Sequence, residues 1–299
     1  MIFDAIKAYW EDQKEDRAPD HIGMSAIGHC GRQLAYKFHG IPGIPLDWRT
    51  KVIFDDGDMH HEQLRRAIAD GLVLTNSCYS LCGEEDEVTL GVLRGHVDGI
   101  LVHDKEACQN SMHHDMLLEV KSMNDRSFNE LKKTNKLSFE YRAQVSAYLR
   151  AGSLGRAYIL AKNKNNGDIY CVVYEGEDDL LDNRLTVLGD VLASTTAEDI
   201  RREYHAKASG DLEWQCNYCP FVKLCWRHEG VVELSPRKYK LVDNLRPPVT
   251  KSVISNTDAS SKGTEKVVGT EVATVTNVVS EIHENSVENK RKKRKGRKG

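Results

Sequence analysis

No stretch of the sequence approaches the roughly 20 consecutive apolar residues that a helix needs to cross a bilayer, which excludes a helical membrane span and a membrane partner of that kind. No Gly-x4-Gly-Lys-Ser/Thr loop is present, so the chain carries no ATP motor of that type. The first residues, MIFDAIKAYWEDQKED, lack both a basic n-region and a continuous apolar h-region, so no secretory signal is expected. The 8 cysteines are accordingly expected to be reduced, in a cytoplasmic protein. Aromatic residues run out at Tyr239, and the segment after it holds no Phe, Trp or Tyr. Such a segment cannot bury enough apolar surface to offset its ordering entropy. The expected organisation is a folded unit over residues 1–240 and a disordered tail over 241–299, with no internal repeat.

What is present fits a globular protein: 40% hydrophobic and 29% charged residues over 299 positions, enough for a sizeable core. The net charge of −3 hides an asymmetry, because the run KRKKRKGRK at 290–298 carries eight positive charges and the remainder sums to −11. An acidic body with a basic end is not a general nucleic-acid coat. Any nucleic acid would be held by local patches, by metal ions that offset carboxylates, or by the tail acting as a tether.

Hydrophobic periodicity predicts helices over 2–14, 54–70 (with Gly71 as C-cap), 138–151 and 183–208. A short helix through Arg32, Leu34 and Tyr36 is expected from a Ser25 cap. Strands are predicted over 87–102 and 116–123, and a hairpin of residues 157–163 and 168–174 around Asn166-Gly167. This order indicates an α/β or α+β domain on a mixed sheet.

The acidic strand pair carries the chemistry. Asp98 sits in an apolar stretch, and Glu119 and Lys121 share one face of the next strand, since side chains two apart point the same way. Burying carboxylates is costly unless they are paired or bind a cation. Two of them on neighbouring strands suit a hard divalent ion, and a lysine beside them suits an attacking water or a charged phosphate. Alone, the pattern also fits two strands joined by an ion pair.

In chain order, Gly57…His61, Asp98, Glu119-x-Lys121 and Gln144-x-x-x-Tyr148 resemble the PD-(D/E)XK nuclease superfamily, specifically its RecB-like exonuclease branch, over residues 25–228. Val97 stands where many members carry proline. The resemblance implies an α/β core of a mixed sheet flanked by helices. It implies Mg²⁺ or Mn²⁺ held by His61, Asp98, Glu119 and the backbone carbonyl of Val120. Lys121 would orient the attacking water, and Gln144 and Tyr148 would brace the site or touch the substrate strand. Its adjacent His60 is turned about 100° away on a helix. His96 adjoins the site, and His113 and His114 are expected in a polar loop. The substrate implied is DNA, single-stranded or with free ends, and a helicase or recombination partner is an expected companion. Arg126, Phe128, Lys132, Lys133 and Lys136 form a candidate DNA patch or the solvated face of an ordinary amphipathic helix.

Cys216-x2-Cys219-x5-Cys225 supplies three thiolates that ask for a metal and a fourth ligand. Cys30 is the candidate for the fourth. By spacing alone zinc leads; with the nuclease motifs lying between Cys30 and Cys216, the set resembles the [4Fe–4S] staple of RecB-like nucleases, including the CRISPR-associated exonucleases. Cys78, Cys82, Cys108 and Cys171 fit no such pattern. Two other readings stand beside the nuclease: a nucleic-acid-binding or assembly module that keeps the fold without cleavage, and a zinc-stabilised adaptor.

Overall fold

The structure is a computed structural model, and it describes residues 1–13, 21–106 and 114–242. Of the expected tail only Leu241 and Val242 are described, with Leu241 closing the last strand; residues 243–299 with the basic run, Cys108 and His113 lie outside the described residues. In chain order the elements are α1 (Ile2–Asp12), β1 (Ile22–Gly23), α2 (Gly31–Phe38), α3 (Trp48–Leu74), β2 (Tyr79–Cys82), β3 (Glu87–Leu90), β4 (Leu93–His96), β5 (Gly99–His103) and β6 (Met116–Met123). They continue with α4 (Asp125–Thr134), α5 (Phe139–Ala151), β7 (Arg156–Asn163), β8 (Ile169–Glu175), α6 (Asp178–Ala193), α7 (Trp214–Asn217), α8 (Val222–Cys225), β9 (Val231–Ser235) and β10 (Lys238–Leu241).

The central layer is a mixed five-stranded sheet in the order β2-β5-β6-β7-β8, with β6 and β7 parallel and the other pairs antiparallel. Its two faces follow from the period of two along β6. Leu118 and Val120 pack with Leu64, Ile68 and Leu72 of α3 on one side. Leu117 and Met123 face the larger core on the other, where α5 is buried continuously from Ala143 to Leu149. The result is a helix–sheet–helix sandwich, a mixed α/β fold. A smaller sheet, β1-β4-β3, and the β9–β10 hairpin complete the described strands.

Several predicted boundaries move. The 87–102 strand is three pieces, because the chain reverses at Gly91 (φ +60°) and bends again before Gly99. Ser25 lies in a single 3-10 turn, and α2 begins only after Cys30. The 54–70 helix extends back to Trp48, where Asp47 accepts from the Thr50 N–H at 2.8 Å, and forward through Gly71 to Leu74. The last predicted helix starts at Asp178 and stops at Ala193, so 194–208 is mostly irregular.

A buried arginine fastens the N-terminal loop to α6. Arg184, 5% exposed, donates to the carbonyl of Ile27 at 2.9 Å and of His29 at 2.5 Å, and pairs with Glu203 at 3.0 Å. Glu203 in turn accepts from the Gly31 N–H at 2.7 Å, closing the first turn of α2 beside Cys30. Gly28 is required here, since a Cβ would lie 2.6 Å from the Glu140 backbone. Arg184→Met would strand two carbonyls and a carboxylate. It should lower unfolding free energy by about 3 kcal/mol, read by chemical denaturation.

Candidate active site

The site forms where β5 leaves β6. Their pairing ends at Gly99 opposite Leu118, so the next residue back, Asp98, is free of the ladder. Its carboxylate takes the place of a strand partner, with Oδ2 accepting from the Val120 N–H at 2.7 Å. Oδ1 lies 3.0 Å from Nδ1 of His61, which reaches over from α3. One carboxylate thus joins α3, the β4–β5 bend and β6.

Glu119 and Lys121 project together on the α5 side of β6 and form an ion pair of 2.6 Å. Gln144 of α5 holds both: its Nε2 donates to Glu119 Oε1 at 3.1 Å, and its Oε1 accepts from Lys121 Nζ at 3.3 Å. The Lys121 ammonium also lies 4.7 Å from the centre of the Tyr141 ring. Tyr148, one helical turn beyond Gln144, presses against the β4 backbone. A Cβ at Gly95 would lie 2.6 Å from its hydroxyl, so only glycine fits there.

Electrostatics separate the two carboxyls. Burial pushes Asp98 up, but the His61 hydrogen bond and charge, the Val120 N–H and Lys121 together hold it below the usual carboxylate range. Burial pushes Glu119 up, and Asp98 adds to that, against the pull of Lys121. Lys121 is itself held above its usual range: burial works against its charge, and Glu119 more than compensates. Burial raises the Tyr148 hydroxyl, with Glu119 adding to it. Glu119 thus stands above the usual carboxylate range, and a divalent cation beside it would favour its ionised form.

The donor chemistry fits such an ion: two carboxylates, one imidazole and a backbone carbonyl. Among the described residues, no three His, Cys, Asp or Glu side chains are drawn together as a ready-made cation cage. The physical reason is visible in the bonds, since Asp98 is turned to His61 and Val120, and Glu119 to Lys121 and Gln144.

The structure thus brings together His61, Asp98, Glu119, Lys121 and Gln144, with Tyr148 alongside. His60 points elsewhere, to Lys162 Nζ at 3.1 Å. His96 and His114 are exposed. Arg126, Lys132, Lys133 and Lys136 are exposed on and just after α4, but Phe128 is 1% exposed and faces the core, so it is withdrawn from the candidate DNA patch. Tyr141 was not picked out from the sequence, although it shares a helix face with Gln144 and Tyr148 by its spacing of three and four.

All four candidate cysteines line one pocket at the opposite end of the N-terminal loop: Cys30, Cys216, Cys219 and Cys225, with Tyr36, Arg202 and Trp226. Burial pushes the thiols of Cys216 and Cys219 up to about 12, and the neighbouring thiols add to it in both cases. The four share a pocket, but among the described residues no three of them are drawn together as a metal-binding group. Thiolate donors of this kind would suit a thiophilic metal or cluster, whose charge would reverse that preference for the neutral thiol.

No protein-family profile matches the chain. No curated protein matches it either. Among solved structures the chain is similar to an alkaline exonuclease from Laribacter hongkongensis, at 16% identity and a TM-score of 0.42, over 66% of this chain and 94% of that one. A phage-related exonuclease from Haemophilus somnus overlaps at 12% identity and a TM-score of 0.37, over 60% of this chain and 93% of that one. Likeness this remote assigns no role to any residue. Among the described residues, no helix is long and apolar enough to cross a membrane.

Proposed function

We propose that the chain is a divalent-metal-dependent DNA exonuclease that hydrolyses phosphodiester bonds in single strands or at DNA ends, as a step of DNA processing. The observation that carries this reading is a pair of hydrogen-bonded groups that meet at the β6 backbone: His61 and Asp98 on the Val120 N–H, and Glu119, Lys121 and Gln144 beside it, with Glu119 buried and Asp98 nearly so. Asp98 also serves the fold by accepting the Val120 N–H, but that service alone does not explain a carboxylate set next to buried Glu119, because each adds a desolvation cost.

In this reading His61, Asp98, Glu119 and the Val120 carbonyl hold Mg²⁺ or Mn²⁺. The ion supplies Lewis-acid charge against the scissile phosphate. Lys121 orients the attacking water and meets the negative charge that builds on the phosphoryl oxygens. Gln144 fixes the Glu119–Lys121 pair in register, and Tyr148 closes the site against β4. Arg126, Lys132, Lys133 and Lys136 offer phosphate contacts beyond the catalytic strand. Digestion of end-labelled single- and double-stranded DNA tests the proposal. Mononucleotide release with Mg²⁺ or Mn²⁺, and none with EDTA, is expected. Binding without any cleavage would favour the nucleic-acid-binding module instead.

The cysteine pocket is proposed to hold a [4Fe–4S] cluster on Cys30, Cys216, Cys219 and Cys225, in preference to zinc. Protein purified without air should be brown and contain about four iron atoms. Cys30→Ala should lose that iron although its three co-ligands lie far away in sequence. Stoichiometric iron in that variant would remove Cys30 from the ligand set, and a colourless zinc protein would remove the cluster.

A further inference from the structure

The catalytic network uses the middle of α3, but the beginning of that helix carries a different feature. Trp48 meets Phe3 of α1 edge to face, with ring centres 5.8 Å apart, and Arg49 lies 4.5 Å over the Trp48 ring. One residue on, Thr50 is bonded by Arg237 from the turn between β9 and β10. Arg237 in turn lies 5.4 Å over the ring of Tyr218, which meets Trp214 edge to face at 6.5 Å. Four aromatic rings and two arginines from four separate parts of the chain therefore form a strip of two clusters, Phe3–Trp48–Arg49 and Arg237–Tyr218–Trp214, joined beneath by the Arg237–Thr50 bond. Three of the rings are open, with Phe3 60% exposed, Trp214 59% and Tyr218 63%, and Trp48 is half-buried between Phe3 and Arg49. Both arginines are exposed as well.

Neither packing nor the proposed chemistry accounts for this strip. Large rings left in water are unfavourable surface, and contiguous ones mark an interaction site. Guanidinium groups parked over rings, in a body whose net charge without the basic run is negative, select an anionic partner that also has flat faces. A polynucleotide with unpaired bases has both, because its bases can stack on rings while its phosphates meet arginine. A duplex hides its base faces and would gain only the charge contacts.

The strip also leads to the site. Thr50, Phe54, Gly57 and His61 recur at spacings of four, three and four, and so share one face of α3. Phe54 is 56% exposed on that face, midway along it. From Thr50 to His61 the helix rises about 16 Å, a few nucleotides of extended strand.

We propose that Trp48, Arg49, Trp214, Tyr218 and Arg237 form a binding track for unpaired single-stranded DNA, which passes along α3 to the catalytic network. This deepens the nuclease reading by fixing its substrate as an unpaired strand, and it rests on that reading for its direction. The test is fluorescence anisotropy of fluorescein-labelled dT20 on the full chain without divalent metal, so that cleavage is not needed. Salt of about 0.2 M keeps the basic run screened. Trp214→Ala and Tyr218→Ala should each weaken dT20 binding by about tenfold, and Trp214→Phe and Tyr218→Phe should restore most of it. Arg237→Ala should reduce the salt slope by about one. Binding of a 20-base-pair duplex should change far less in the ring variants. Wild-type affinity in folded ring variants, equal losses for duplex and single strand, no dT20 binding by the wild type, or a change confined to self-association would each overturn the track. A nuclease reading that failed would instead show as absent cleavage, with this binding measurement unaffected.

Discussion

The arrangement depends on one carboxylate taking the place of a strand. Where β5 departs from β6, the Val120 N–H would be left without a partner inside the sandwich, and Asp98 Oδ2 accepts it at 2.7 Å. The same carboxylate reaches His61 and so fixes α3 against the sheet. Asp98 is thereby placed one strand away from Glu119, and its charge is kept by neighbours although burial opposes it. Two carboxyls held at different affinities for protons, with a lysine clamped between one of them and an amide, are a costly construction in an apolar sheet. Its cost makes sense where a cation and a phosphate complete the charge balance.

The rest of the fold holds this corner still. α3 and α5 approach β6 from opposite faces, each delivering side chains to the same end of the strand. The N-terminal loop that covers α5 is secured by Arg184 and Glu203. The start of α3 and the 214–218 turn are left exposed as surface.

Much of the site was legible because its signals are local. Glu119 and Lys121 stand two apart in MLLEVKSM, whose alternation also sets the two faces of β6. Gln144 and Tyr148 sit four apart on a helix capped by Ser138. Where signals were ambiguous the reading slipped. Gly71 suggested an earlier end to the helix, yet α3 runs through it to Leu74, because the packing of Leu64, Ile68 and Leu72 outweighs roughly 1 kcal/mol for a helical glycine. The 87–102 stretch looks like one strand, since its alternation survives the turn at Gly91. Phe128 was misjudged for a related reason: in a basic helix the apolar residue is the one that faces the core. The aromatic strip was out of reach altogether, because Phe3, Trp48, Tyr218 and Arg237 are neighbours only in three dimensions.

The central claim is that Asp98 and Lys121 do different parts of one reaction. The measurement that tests it most directly compares Asp98→Ala and Lys121→Ala with the wild type, for cleavage of single-stranded DNA and for binding of Mn²⁺. The account predicts that both variants lose cleavage by at least about 100-fold, that Lys121→Ala still binds Mn²⁺, and that Asp98→Ala does not. Full cleavage by either folded variant would contradict it.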